Sequence, residues 1–140
     1  MAPPIGESPP KGMFNVNDQQ KRKLRADYKF APTYYGVIQI ENTLNHKIFI
    51  ESVANLHNRW GYYQLNLNQN FYHGTPLQVD WLRDGPDAFA YTVLWRADAA
   101  DVVNMRQTLK TLQDKWLRKL MPFDERGYNH RPLRWTYDAH

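Results

Sequence analysis

The side chains able to do chemistry in this sequence are mostly cations. Lys21, Arg22, Lys23 and Arg25 crowd together near the N-terminus, and Lys and Arg are frequent again after residue 100. Cations gathered in this way suit contacts to phosphate. The five histidines, His46, His57, His73, His130 and His140, show no metal-ligand spacing. There is no cysteine, which excludes disulfides, thiolate zinc sites, cysteine nucleophiles and iron–sulfur clusters. No glycine-rich phosphate loop, HExxH or GxSxG stands in the chain. Charge alone therefore suggests phosphate binding, and no short motif announces a reaction.

The charge is unevenly spread. Residues 1–35 hold six Lys/Arg against three Asp/Glu, residues 36–100 four against six, and residues 101–140 eight against five. The net +4 thus lies at the two ends, around a mildly acidic middle. A phosphate-binding surface would be assembled largely from terminal segments. With 140 residues, 42% of them hydrophobic, the chain is long enough for one domain with a sizeable core. It lacks the run of about 18 apolar residues that a membrane span needs. Its first ten residues, MAPPIGESPP, lack the cationic start and apolar stretch of a secretory signal. A cytoplasmic protein without a membrane partner is the expectation.

The elements that must position these residues follow from periodicity. Residues 1–12 contain four Pro and two Gly and read as a flexible arm. Asn17 or Asp18 could cap a short polar helix over Gln19 to Tyr28, which carries the basic cluster. Tyr34 to Glu41 alternates Ile38 and Ile40 with Gln39 and Glu41, the period of a half-buried strand. Turn residues Asn42 to His46 lead to a second strand, Lys47 to Val53, and the pair forms a β-hairpin. From Asn55 to Asn68 the spacing becomes helical, with Leu56, Trp60, Tyr63 and Leu67 on one stripe. Pro76 to Arg83 is a second helix with Leu77, Trp81 and Leu82 inward, stopped by Asp84-Gly85-Pro86. Ala88 to Trp95 is a third strand. Asp98 then caps a long helix from Ala99 to Leu120, with Val102, Met105, Leu109, Leu112, Trp116, Leu117 and Leu120 on one face. The order β-β-α-α-β-α predicts a small mixed α/β (α+β) domain with a central three-stranded sheet. Its extent is 31–129, between a basic arm (1–30) and an irregular tail (130–140).

At this point the chain resembles the GIY-YIG nuclease domain, most of all the homing-endonuclease branch. Gly36-Val37-Ile38 stands for the family's Gly-Ile-Tyr, and Phe49-Ile50-Glu51 for its Tyr-Ile-Gly. The turn Asn42-Thr43-Leu44-Asn45-His46-Lys47 is close to the family's Asn-x-x-Asn-x-Lys. Asn55-Leu56 with Arg59-Trp60 resembles its first helix, and Leu77-Gln78 with Trp81 a later segment. Phe89 with Val93-Leu94 resembles its third strand. Trp116-Leu117 and Gly127-Tyr128-Asn129 resemble its closing helix and Tyr-Asn end.

The resemblance implies hydrolysis of a DNA phosphodiester by an activated water, aided by one divalent metal, an Arg and a strand Tyr. Such a reaction needs a proton acceptor for the water and cationic or donor groups for the charge that develops. Among candidate catalytic positions, Arg59 matches the family Arg and can fork two donors onto a phosphate. Tyr63 stands where the branch has a His. With an ordinary pKa of about 10 it is a poor base. His73 is the candidate for a second family His, although anchoring on Leu77-Gln78 puts Tyr72 in that slot. Asn129 is retained. Four positions depart from the family. Ile38 replaces the first Tyr and has no proton to exchange, and Phe49 replaces the second. Glu51 replaces the Gly and brings a carboxylate toward the phosphate. Gln113, three residues before Trp116, replaces the metal-binding Glu, and a neutral amide is a weak ligand for Mg²⁺.

The expectation is a nuclease-like domain with impaired catalysis and no bound metal. It would act as a nucleic-acid-binding or regulatory module on DNA or RNA through Arg59, Lys21, Arg22, Lys23 and Arg25. Two alternatives stand beside it. One is an active endonuclease using Mg²⁺ at a rearranged site, with Glu51 as the carboxylate. The other is a protein-interaction module with a protein partner, favoured by the acidic middle.

Overall fold

The structure, a computed structural model, describes residues 31–133 and Trp135. The expected arm, its short helix and Lys21, Arg22, Lys23 and Arg25 lie outside the described residues.

Three strands form one antiparallel sheet in the order β2-β1-β3, with β1 at Tyr34–Asn42, β2 at Ile48–Val53 and β3 at Phe89–Asp98. The hairpin turn is built by its own asparagines. Asn42 Oδ1 accepts from the Leu44 amide and Asn45 Oδ1 from the Lys47 amide, each at 2.9 Å, the Asx chemistry that favours these residues in turns.

Being central, β1 is covered on both faces. Ile38 and Ile40 are fully buried in one cluster with Tyr63, Leu67, Leu77 and Trp81, while Val37 is fully buried in a second with Ile50, Leu117 and Phe123. The half-buried strand expected from alternation is therefore a central one, and beyond the exposed Tyr34 at its start only Gln39 and Glu41 stay partly exposed. Gly36 is required by close approach. A Cβ there would lie 2.0 Å from the Trp95 carbonyl oxygen on β3. Gly36→Ala is expected to cost about 3 kcal/mol or more, since backbone rather than a mobile side chain must yield. Urea unfolding of the two proteins checks this.

The first face is covered by helix α1, Arg59–Asn68, and helix α2, Pro76–Asp84. α2 is capped by the Thr75 hydroxyl, which accepts from the Gln78 amide, and has Pro at its first turn. Helix α3, Met105–Leu120, covers the second face. Two helix starts differ from the spacing-based expectation. α1 begins at Arg59, not Asn55, after Asn58 adopts a left-handed φ of 52°. Asp98 caps only a single 3₁₀ turn, Ala99–Asp101, and the long helix starts at Met105 under Asn104. The β-branched pair Val102-Val103 favours extended backbone, and Asn104 is a strong cap whose side chain accepts from the Gln107 amide at 3.0 Å. Leu82, expected inward, is 64% exposed. Within the segment read as an irregular tail, Trp135 is buried against the ring of Phe123, with centroids 5.7 Å apart.

A polar cluster ties the hairpin turn, α2 and the chain after α3 together. The buried Asp80 carboxylate accepts from the Tyr128 hydroxyl at 2.6 Å and from Asn45 at 3.2 Å, and it faces Arg83 at 3.1 Å. Asn42 donates to Asp84 at 2.7 Å and to the Tyr128 oxygen at 3.1 Å. The Arg83 guanidinium first, and Asn42 second, hold the Asp84 carboxyl down at about 2. Burial, and then the bond to Asp80, push Tyr128 up to about 12.

Candidate functional site

A cleft of about 270 Å³ opens between β2, α1, α2 and the segment after α3. Phe49 and Glu51 come from β2, Tyr63 from α1, and Tyr72 and Thr75 from the α1–α2 connection. Ile50, Leu77, Gln113 of α3, Tyr128, Asn129 and His130 complete its walls. Strand alternation explains the β2 pair, because residues two apart share a face.

Glu51 is held from one side. The Tyr63 hydroxyl donates to Glu51 Oε1, and Arg59 Nη2 lies 3.6 Å from the same oxygen. The Arg59 guanidinium also lies over two rings, 4.2 Å from the centre of Tyr62 and 5.0 Å from that of Tyr63. Its Nε is buried without a hydrogen-bond partner among the described residues. Tyr63 is only 2% exposed. Burial, and then the neighbouring Glu51 charge, drive its pKa far above the ordinary phenol value, so it serves as a donor and not as a base. Ile38 lies directly across the ladder from Glu51 and is fully buried. Phe49 meets Tyr63 edge to face, with centroids 6.2 Å apart.

The two amides at the other wall grip the backbone of β2. Gln113 Oε1 accepts from the Ser52 amide at 2.6 Å, and its Nε2 donates to the Ile50 carbonyl at 3.2 Å. Asn129 Oδ1 accepts from the Ile50 amide at 2.9 Å, and its Nδ2 donates to the Ile50 carbonyl at 2.8 Å.

No protein-family model matches the chain, and no curated protein matches it by sequence. Solved structures do. One is the catalytic domain of the intron endonuclease I-TevI in a mutant form, with a TM-score of 0.56 and 24% identity over 69% of this chain and 92% of that one. Another is the catalytic domain of the homing endonuclease I-TevI, with a TM-score of 0.56 and 22% identity over 70% of this chain and 99% of that one. The domain has the GIY-YIG nuclease fold.

On this GIY-YIG scaffold the structure brings together Arg59, Tyr63, Asn129 and the four departing positions Ile38, Phe49, Glu51 and Gln113. It leaves His73 out. His73 is exposed and does not line the cleft, whereas Tyr72 does, as the count from Leu77-Gln78 requires. Tyr128, Thr75 and His130 also line the cleft, outside the expected site residues. The register argument pointed to Tyr72, and the Tyr-Asn end to Tyr128. Nothing in the sequence singled out His130 or Thr75.

The divalent cation implied by the GIY-YIG resemblance does not fit the residues present. Gln113 offers a neutral amide, and both ends of it are committed to the β2 backbone. Asp114, about 100° further round α3, lines an adjoining hollow that Glu51 and Gln113 share, where the Lys110 cation also stands. Among the described residues no three His, Asp or Glu side chains gather in a metal-holding group. No described helix is long and apolar enough to cross a membrane.

Proposed function

We propose that this domain is a nuclease-fold module that binds nucleic acid and does not cut it, acting as a binding or regulatory element. The observation that carries the reading is Gln113, a neutral side chain with both polar ends on the β2 backbone, at the position where the resemblance expects a metal-binding carboxylate. The buried, protonated Tyr63 and the proton-free Ile38 side chain support the same reading, because neither can accept a proton from water. Likeness to the catalytic domain of an endonuclease and the cationic ends of the chain support nucleic acid as the partner. Arg59 at the cleft and Lys21, Arg22, Lys23 and Arg25 in the arm are the proposed phosphate contacts.

An active enzyme with a rearranged site would need Glu51 to hold a cation. That carboxylate already receives the Tyr63 hydroxyl and lies beside the Arg59 guanidinium, which disfavours a second positive charge there.

Fluorescence anisotropy on labelled single- and double-stranded DNA and RNA, at low and physiological salt, tests binding. Affinity is expected to fall steeply with salt, and replacing all four arm cations by Ala should reduce the log–log slope by about 3. Salt-independent binding, or a slope unmoved by the fourfold variant, would count against phosphate contacts by the arm.

A further inference from the structure

We infer that the cleft is a receptor for one unpaired guanine base, an inference that rests on the nucleic-acid reading and specifies what the old active site takes. Its volume of about 270 Å³ falls just under the roughly 300–1,000 Å³ of sites for drug-sized ligands, which is room for a single planar ring system. The side chains of Phe49, Tyr72, Tyr128 and Leu77 on its walls are flat or apolar surfaces. Bases stack on aromatic rings of this kind without regard to backbone geometry.

Charge narrows the class of occupant. Glu51 lines the cleft and opposes a phosphate inside it, whereas Arg59 is not one of the lining residues and is left for backbone phosphate outside. The Arg59 guanidinium, 3.6 Å from Glu51, opposes an incoming Lys or Arg side chain. A neutral ring that donates hydrogen bonds meets neither repulsion. Tyr63 and Arg59 both lie at Oε1, Arg59 at 3.6 Å, and a carboxylate has about four acceptor sites on its two oxygens, so these two contacts leave Oε2 and a further site on Oε1 for two donors. Guanine is the base whose pairing edge presents two adjacent donors, the N1 hydrogen and the N2 amino group. Adenine and cytosine set a ring nitrogen acceptor beside their amino group, and thymine and uracil flank their single N–H with carbonyl oxygens. Each of those acceptors would face the carboxylate.

The test uses short single-stranded thymine oligonucleotides carrying one central guanine, the same strands with inosine in that place, all-thymine strands, and free guanosine. Inosine lacks the N2 amino group and keeps the ring, so the comparison needs no protein variant and no assumption about folding. The guanine strand is expected to bind at least about tenfold more tightly than the inosine strand, the size of one hydrogen bond to a charged acceptor. Glu51→Gln should erase that difference, because an amide offers one oxygen acceptor and one opposing donor. Equal affinity for guanine, inosine and thymine strands overturns the guanine receptor and leaves nucleic-acid binding standing. Binding of free guanosine that depends on Glu51, with no strand bound, supports the guanine chemistry and overturns the polymer as its source. Failure of every strand and of guanosine overturns both readings.

Discussion

Supercoiled plasmid incubated with this protein in Mg²⁺ or Mn²⁺ is expected to stay supercoiled. Cleavage would need a group to take a proton from the attacking water, an effect worth about 10²–10⁴ in rate. At position 38 there is a buried Ile side chain. Tyr63 does not replace it, since burial and the adjacent Glu51 keep the phenol protonated. Cleavage would also need an anionic oxygen for the cation, and Gln113 has none to give. These groups act as a unit, so partial repair recovers little. The expected rate is at least about 10⁴-fold below that of a nuclease holding both groups. Gln113→Glu alone should not restore cutting. It should instead destabilise the fold by about 1–3 kcal/mol, because a carboxylate cannot donate to the Ile50 carbonyl. Nicking or linearisation on a gel, abolished by Arg59→Ala, would refute the non-cutting assignment.

The largest loss of stability from a single polar side chain is expected at Asp80. Its carboxylate is 10% exposed and meets Tyr128, Asn45 and Arg83, three side chains from three different parts of the chain. Asp80→Ala leaves the Tyr128 hydroxyl deprived of its 2.6 Å acceptor and removes the carboxylate that faces Arg83. The expected cost is about 3 kcal/mol, or a fall in Tm of about 15 °C for a domain of this size. Asp80→Asn keeps an acceptor oxygen and should lose about half as much. A double-mutant cycle with Tyr128→Phe should show a coupling of about 1–2 kcal/mol. Additive losses would mean that the two groups act separately. Because Tyr128 also lines the cleft, the same substitution should loosen the site.

The hairpin and the helical faces were legible because their signals are local. Asn42 and Asn45 make the turn by bonding amides two residues on, and Tyr63 and Leu67 fall on the buried stripe that spacing predicts. The start of α3 was not legible, because Asp98 and Asn104 are both good caps and only the β-branched Val102-Val103 pair between them decides. Burial of Trp135 was also hidden, since it depends on Phe123 and Arg118 meeting it in space. The identities of the site positions came through resemblance to ordered motifs, while their engagement did not. That Gln113 holds strand backbone, and that Glu51 receives the Tyr63 hydroxyl, are long-range facts. No spacing rule reports them.

The outer side of β2 carries a further consequence. The Ile48 carbonyl accepts from the Tyr128 amide at 2.9 Å. Asn129 bonds both polar groups of Ile50, and Gln113 reaches the Ile50 carbonyl and the Ser52 amide. An exposed strand edge is a template on which a second chain can add and aggregation can begin. Here the Tyr128 backbone amide and the side-chain amides of Asn129 and Gln113, chemically the same groups, occupy that template from the Ile48 carbonyl to the Ser52 amide. A protein whose cleft loses such an amide would therefore risk more than a change in its binding site. It would expose a sticky edge, so the pressure to keep Gln113 and Asn129 can come from solubility as much as from anything the cleft binds.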